Sequence, residues 1–272
     1  NASRYALYAL SLLSAVLAMK TKENAFTLPM VITLYEFLFF TGRIKKRILW
    51  LMPMFLTMLI IPLSFIGIDK PVGEIIGGLD AVMRGSSQAS RVDYLLTQFR
   101  VIVTYVRILF LPVNQNFAHD YPIYHSFFNL HVFIPFIFIS LILSGAVYLY
   151  FRSRSIPDLR LISIGIVWFF ITLAVESSII PLSMPINEYR VYLPSAGIFL
   201  ALVTGAMLLT AKLTDKRKVC AIIFAMLIPF IFICATYARN DVWKSKISLL
   251  EDTVKKSPVS PVVHNNLGSA YL

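Results

Sequence analysis

The stretch His131–Phe151, HVFIPFIFISLILSGAVYLYF, contains no Asp, Glu, Lys or Arg. A transmembrane helix needs roughly 20 mostly apolar residues, so this stretch is long enough to cross a membrane. Six further stretches qualify or nearly qualify: Tyr5–Met19, Ala25–Thr41, Ile48–Ile68, Leu161–Ile180, Val191–Ala211 and Val219–Tyr237. The sequence therefore predicts an all-α, polytopic membrane helix bundle with about seven spans.

The composition of the whole chain supports this class. Of its 272 residues, 58% are hydrophobic and 14% are charged, whereas a soluble domain carries about 25% charged residues. An ordinary cytosolic enzyme, a disordered chain, a coiled coil and a collagen are therefore excluded. The net charge of +11 points to cytoplasmic loops and lipid headgroups, and we expect no nucleic-acid partner. Cys220 and Cys234 lie in one apolar run and predict neither a disulfide framework nor a zinc site.

Basic residues cluster in three short loops, Gly42–Arg47, Arg152–Arg160 and Lys212–Lys218. Such loops stay in the cytoplasm by the positive-inside rule, and with seven spans the three loops alternate correctly. The remaining connections are then expected on the outer face: Lys20–Asn24, Asp69–Leu130, Pro181–Arg190 and everything after Tyr237.

One further apolar stretch is Asp93–Val113. If it crossed the membrane, the loops on either side of it could not keep the orientations given above. Its polar residues recur at steps of four and three, which places them on one helix face: Asp93, Thr97, Arg100, Thr104 and Arg107. We expect an amphipathic helix that lies at the outer membrane interface or is wedged into the bundle, and that ends at Pro112. Arg100 and Arg107 are candidates for bidentate bonds to a phosphate, or for contacts with ordinary lipid headgroups.

The C-terminal segment 238–272 has an ordinary soluble composition and predicts two helices, Asp241–Lys256 and one that starts near Pro261. The sequence LGSAY at 267–271 matches the L-G-x-x-Y core of a tetratricopeptide repeat. Gly268 is expected to let two helices approach closely. We therefore predict that 238–272 begins an outer repeat domain after a transmembrane domain, 1–237; the alternative is a chance match in a short amphipathic tail.

Charged and amide residues follow the first predicted span. Lys22, Glu23 and Asn24 lie in a short outer loop, where a charged cluster is costly unless something neutralises it. A phosphate would do so, with Lys22 as the point charge and Asn24 as a hydrogen-bond donor. The alternative is a Lys–Glu pair that holds two helix ends together.

A second group of candidates is the polar segment, Asn114–Tyr121. Asn116, His119, Asp120 and Tyr121 are residue types that bind sugar hydroxyls by hydrogen bonds and ring stacking. The alternative is a structured turn whose Asn and Asp side chains cap the backbone.

The ionisable residues at the outer end of Leu161–Ile180 and at the start of Val191–Ala211 form the third group. Glu176, Glu188, Arg190 and Tyr192 are pocket or phosphate-binding candidates, because ionisable groups at a membrane boundary are functional candidates by default. The alternative is a salt bridge from Glu176 or Glu188 to Arg190.

No P-loop, G-x-G-x-x-G, G-x-S-x-G or H-E-x-x-H motif occurs, so an ATP-driven pump, a Rossmann enzyme and a zinc protease are not predicted. No metal ligand is assigned, and a requirement for a divalent cation stays open.

Several motifs, taken in order, resemble a known family: KEN (22–24) with TLP (27–29) and LYE (34–36), FRVIVTYVR (99–107), LPVNQN (111–116) with DYPI (120–123), and EYRVYLPSAG (188–197). In these motifs the chain is similar to multi-spanning GT-C glycosyltransferases, and within them to the transmembrane and tetratricopeptide-repeat O-mannosyltransferases and their bacterial relatives.

The resemblance implies transfer of a sugar from a polyprenyl-phosphate donor to a protein hydroxyl on the non-cytoplasmic side, in a bacterial inner membrane rather than the endoplasmic reticulum. The partners would be the lipid-linked donor, a protein bound by the repeats, and the bilayer. The acidic catalytic residues of the family lie in a first outer loop with no counterpart here, so the chain is expected to be a fragment truncated at its N-terminus. The alternatives are a transporter or flippase for a lipid-linked glycan, and a membrane anchor that displays repeats for protein assembly.

Overall fold

The computed structural model describes residues 2–66, 89–178, 181–182, 184–211 and 213–272. These residues form α-helices joined by loops and short 3-10 turns, with no strand among them, as the all-α prediction requires. The helices are α1 (Ala2–Thr21), α2 (Leu28–Phe39), α3 (Ile44–Leu56), α4 (Ile60–Ile66), α5 (Arg91–Phe110), α6 (Leu130–Arg152), α7 (Leu159–Leu173), α8 (Tyr192–Thr210), α9 (Asp215–Asn240), α10 (Lys246–Lys256) and α11 (Pro261–Tyr271). The 3-10 turns are Glu23–Thr27, Thr57–Leu59, Glu188–Val191 and Asp241–Lys244.

Four helical segments of the described chain are long and apolar enough to cross a membrane: Ile44–Ser64, Leu130–Arg152, Glu188–Thr210 and Asp215–Lys244. This arrangement fits an integral membrane protein, but the seven predicted spans are not confirmed. α2 is shorter than predicted, because the 3-10 turn Glu23–Thr27 precedes it. α7 ends at Leu173, because the chain turns there and buries Glu176; Ile180, the predicted end of this span, lies outside the described residues.

The closest helix packing in the bundle joins α7 to α8. A Cβ atom on Gly165 would clash with the carbonyl oxygen of Gly197, and a Cβ on Gly197 would clash with that of Gly165. Small residues at such crossings let two membrane helices approach closely. Trp168 lies at one end of the contact and donates its indole N–H to the carbonyl of Leu193 at 3.0 Å.

The contacts between helices define two ends of the bundle. Arg160 at the start of α7 donates to the carbonyl of Leu38 at the end of α2, at 2.8 Å, and Ile162 lies near Gly205 late in α8. We call this the basic end, because it carries the loop Gly42–Arg47 and the residues around Arg160. The opposite end carries Glu23–Thr27 and Glu188–Val191, and it is called the tail end below.

α5 is the most deeply packed helix at the tail end. Val101 and Tyr105 are fully buried and share a core with Ile139 of α6, Phe169 of α7 and Ile186. The sequence offered two positions for this helix, at the outer membrane interface or wedged into the bundle, and the structure supports the second. The side chain of Ser90 caps the helix by accepting from the backbone N–H of Asp93 at 3.1 Å, and the helix ends at Phe110, before the predicted breaker Pro112.

The tail, residues 241–272, forms a helical hairpin of α10 and α11. The predicted domain boundary at 237 falls inside α9, which continues to Asn240. Leu250 and Val263 are buried between the two helices, and Tyr271 donates to Glu251 at 2.6 Å. Among the described residues, no atom lies within 4 Å of a Cβ built on Gly268. The described residues therefore contain no helix in close approach to this glycine; that approach stays a prediction, and the repeat array is not confirmed.

Candidate functional site

Arg190 and Glu176 form a buried ion pair at the tail end of the bundle. Arg190 Nε lies 3.8 Å from Glu176 Oε2, and both residues are 7% exposed. Arg190 also donates to the carbonyl of Met184 at 3.1 Å. The salt bridge that the sequence offered as an alternative is therefore present. Because its guanidinium is buried among protein groups, Arg190 is not presented to a soluble ligand.

Two buried tyrosines of α5 complete this ion-pair cluster. Tyr94 donates to the backbone carbonyl of Glu176 at 2.8 Å, and the hydroxyl of Tyr105 accepts from the backbone N–H of Asn187 at 3.0 Å. Burial raises the pKa of Tyr105 to about 12, so the phenol stays neutral. Burial also raises the pKa of Glu176, and the charge of Arg190 opposes that rise. The cluster thus fastens the chain after α7 to α5.

Several polar atoms of this cluster are buried without a hydrogen-bond partner in the described part of the chain. They are Gln98 Oε1, Glu176 Oε2, Ser177 Oγ and Arg190 Nε. Gln98 is fully buried and uses its amide N–H on the carbonyl of Pro185 at 3.1 Å. Incompletely satisfied buried networks respond strongly to substitution, which makes this cluster a sensitive point of the fold.

The loop after α1 contacts the same cluster from the other side. Asn24 lies near the side chain of Glu176, and Lys22 Nζ lies 5.2 Å from the centre of the Tyr189 ring, at cation–π distance. The structure therefore places Lys22 and Asn24 near the Glu176–Arg190 pair.

An open cleft of about 320 Å³ lies beside this loop, between the end of α1 and α4. Its lining carries two cations and one carboxylate among apolar and hydroxyl side chains: Met19, Lys20, Thr21, Lys22, Glu23, Ile61 and Ser64. Leu63, on the neighbouring turn of α4, is 59% exposed. The cleft thus offers positive charge next to an apolar helix surface.

Glu188 joins the polar segment to the start of α8. Its Oε1 atom accepts from the backbone N–H of Asn116 at 2.7 Å and lies 2.9 Å from His119 Nε2. His119 and Glu188 have side chains that are 15% and 18% exposed, so solvent reaches both. The pair can hold a proton between carboxylate and imidazole, and the orientation of the imidazole is set by the carboxylate.

The chain that follows α5 covers most of its polar stripe, which is the helix face with Asp93, Thr97, Arg100, Thr104 and Arg107. Thr104 shares a hydrogen bond of 3.0 Å with Tyr121, Thr97 accepts from the backbone N–H of Tyr124 at 3.0 Å, and His125 Nδ1 lies 3.0 Å from Asp93 Oδ2. Arg100 lies beside the hydroxyl of Tyr121, and Arg107 is exposed. The two arginines therefore differ in environment, although they share one helix face.

The remaining candidates have simpler surroundings. Tyr192 is 87% exposed and Asp120 is exposed, while its backbone N–H donates to Ser257. Glu36 forms an ion pair with Arg47 at 2.9 Å at the basic end, as expected of a paired rather than a catalytic group. The described residues contain no group of three or more His, Cys, Asp or Glu that could hold a metal ion.

Sequence reasoning missed three residues that organise this end of the molecule. Ser257 contacts the polar segment, and Tyr94 and Tyr105 hold the segment after α7. Tyr94 and Tyr105 lie outside the polar stripe of α5, and their hydroxyls could have indicated buried partners. Ser257 stands next to Pro258 after a helix and carries no comparable signal.

Comparison of the chain with protein-family models, curated protein sequences and solved structures finds no match.

Proposed function

We propose that this chain is part of a membrane glycosyltransferase that moves a sugar from a polyprenyl-phosphate donor to a protein hydroxyl. The observation that supports this most is the convergence of separate polar segments at the tail end. Lys22 and Asn24 lie near Glu176, which pairs with Arg190, and Glu188, two residues from Arg190, lies 2.9 Å from His119. A polar site at the end of an apolar bundle suits a reaction between a membrane lipid and a soluble acceptor.

The cleft between α1 and α4 suits the donor. A polyprenyl phosphate has an anionic head and a long apolar tail, so its site needs cations next to a lipid-facing surface. Lys20 and Lys22 supply point charges for phosphate oxygens, and Ile61 continues toward the lipid-exposed face of α4. As the sugar leaves, negative charge grows on the phosphate, and fixed cations stabilise that charge.

Arg107 is a further candidate for the donor phosphate, because it is exposed. Arg100 is less free, since it lies beside Tyr121. Arg190 takes a different role in this proposal: it holds Glu188 and Tyr189 in position from inside the bundle, instead of binding the phosphate itself.

The protein acceptor would come from the side of the tail. The tail packs against the polar segment, next to His119 and Glu188. A protein held by α10 and α11 would therefore be close to the polar end of the bundle, where the donor sugar is presented.

The test is a transfer assay in proteoliposomes. The intact protein is supplied with a polyprenyl-phosphate sugar labelled in the sugar and with candidate acceptor proteins. Label in the acceptor that depends on the protein supports the proposal. Protein-dependent movement of the lipid-linked sugar across the bilayer, without label in any acceptor, would replace it with a flippase.

A membrane anchor that displays the tail is the second candidate. The observation that favours it is the firm attachment of the tail to the polar segment through Ser257 and Lys256. An anchor needs this attachment but does not need the cationic cleft, so removal of Lys20 and Lys22 would leave its partner binding unchanged.

A further inference from the structure

The hydroxyl of Ser257 is a hub between the tail and the polar segment. It accepts from Asn116 Nδ2 at 2.8 Å and from the backbone N–H of Asp120 at 3.1 Å, and it donates to the carbonyl of Ala118 at 2.8 Å. A serine hydroxyl has one donor and two acceptor positions, and all three are used here on one segment. Ser257 is 2% exposed and Asn116 is 5% exposed, so these bonds are shielded from water.

The same segment holds the His119–Glu188 pair. Asn116 contacts the tail through its side chain and contacts Glu188 through its backbone N–H, at 2.7 Å. Glu188 Oε1 in turn lies 2.9 Å from His119 Nε2. A continuous chain of contacts therefore runs from Ser257 through Asn116 and Glu188 to His119.

Two further contacts fix the tail at this place. Lys256 Nζ donates to the carbonyl of Gln115 at 2.8 Å, and the rings of Phe117 and Trp243 meet at 6.0 Å between centres with planes 85° apart. Edge-to-face rings and a charged hydrogen bond flank the Ser257 hub. The tail is thus also attached at Gln115 and Phe117, just before His119 in the polar segment.

We propose that Ser257 is a positioning residue, through which the tail sets the geometry of the His119–Glu188 pair. A protein that binds α10–α11 and shifts the tail would thereby change the pair, although it touches neither residue. This proposal goes beyond sugar transfer and does not depend on it. If the Ser257 hydroxyl is removed, Asn116 Nδ2, the N–H of Asp120 and the carbonyl of Ala118 lose their partner together, and the polar segment opens more often.

The histidines provide a direct measurement. The sequence contains four, His119, His125, His131 and His264, and diethylpyrocarbonate modifies each at a rate that depends on its access. The intact protein in lipid nanodiscs is labelled, and the rate at each histidine is measured by mass spectrometry. In Ser257→Ala we expect a roughly tenfold faster modification of His119, as follows from unpaired buried groups, with unchanged rates at His131 and His264.

Ser260→Ala is the matched control. Ser260 precedes α11, and its side chain makes no capping hydrogen bond there. This variant removes the same hydroxyl group one turn away and should leave the rate at His119 unchanged. His264 lies in α11 and reports whether the tail itself stays folded, and His125, with a side chain 74% exposed, reports general access.

A second variant protects the test against loss of the tail fold. Asn116→Ala removes the same hydrogen bond from the other side, and in the double variant the rate at His119 should not exceed that of the faster single variant. If Ser257→Ala also speeds the modification of His264, the Asn116→Ala variant decides between the two explanations. Faster modification of His119 alone in Asn116→Ala supports the proposal, and an unchanged rate at His119 in Asn116→Ala overturns it. An unchanged rate at His119 in both single variants, or equal acceleration at all the histidines, also overturns it. Because no sugar transfer is measured, failure of the proposed enzyme activity leaves this result intact.

Discussion

Asn116 and Ser257 are 141 residues apart in the sequence and are joined by a buried hydrogen bond of 2.8 Å. This bond and its neighbours attach the tail to the polar end of the helix bundle. A tail held in this way has a fixed position relative to Glu188 and His119. Its attachment can be tested apart from any catalytic activity.

The first prediction concerns the acid stability of this attachment. Asp252 binds Arg239 at 2.6 Å and Lys256 at 2.8 Å. Burial acts to raise the pKa of Asp252, but these hydrogen bonds and charges outweigh it and lower the pKa below its ordinary value of 3.8. A lowered acid pKa stabilises the fold fully above the ordinary value, and the contribution is lost as pH falls through the folded value.

Pepsin, which is active in acid, provides the measurement. In the natural protein, cleavage of the tail should rise as pH falls below 3.8. In Asp252→Asn the tail should already be cleaved faster above this pH, with a weaker dependence on pH. Equal pH profiles for the two proteins would contradict the role given to Asp252.

The second prediction concerns the buried ion pair. Arg190→Gln leaves the Glu176 carboxylate buried without its cation, and the free energy of unfolding should fall by about 3 kcal/mol, as is typical of a broken buried pair. Glu176→Gln combined with Arg190→Gln should lose less than the single variant, because no buried charge remains. Thermal denaturation in detergent compares these proteins with Arg107→Gln, whose exposed side chain should contribute little. A double variant that is less stable than Arg190→Gln would argue against a charge-based explanation.

The third prediction concerns the α7–α8 contact. Gly165→Ala introduces a Cβ against the backbone of Gly197 and should lower the stability by about 1–3 kcal/mol through overpacking. The control is Gly145→Ala in α6, where a Cβ meets nothing within 4 Å. Alanine favours a helix over glycine by up to about 1 kcal/mol, so this control should be neutral or stabilising. If both variants behaved alike in a detergent melting experiment, the close packing would be wrong.

The fourth prediction concerns topology. Cys220 and Cys234 are first replaced by serine, and single cysteines are then introduced at Val259, which is 76% exposed, and at Lys216. A membrane-impermeant maleimide added to intact cells should label the first and spare the second, because the positive-inside rule predicts that the basic loops stay in the cytoplasm. Labelling of Lys216→Cys alone would reverse the orientation and remove the basis for an extracytoplasmic reaction.

Sequence patterns predicted the features that depend on local periodicity. The alternation of polar and apolar residues indicated α5 within three residues of its ends, and the apolar stretches located most of the helices.

Features that depend on distant contacts could not be predicted in this way. α7 stops at Leu173 because Glu176 turns inward to Arg190, and no local pattern indicates that turn. The polar stripe of α5 was expected to face a ligand, but Tyr121, Tyr124 and His125 cover most of it. Periodicity shows which residues share a helix face, and only the folded chain shows what lies against that face.

We propose above that the cations of the α1–α4 cleft bind the phosphate of a lipid-linked sugar donor. The most direct measurement is the rate of sugar transfer in proteoliposomes by Lys20→Gln/Lys22→Gln, compared with Lys45→Gln/Lys46→Gln, which removes the same charge from the basic end. We predict that the first variant loses more than about tenfold in rate, because it lacks the fixed cations that stabilise the developing charge on the phosphate. The second variant should keep the natural rate. Equal rates in the two variants, with equal amounts of folded protein, would contradict it.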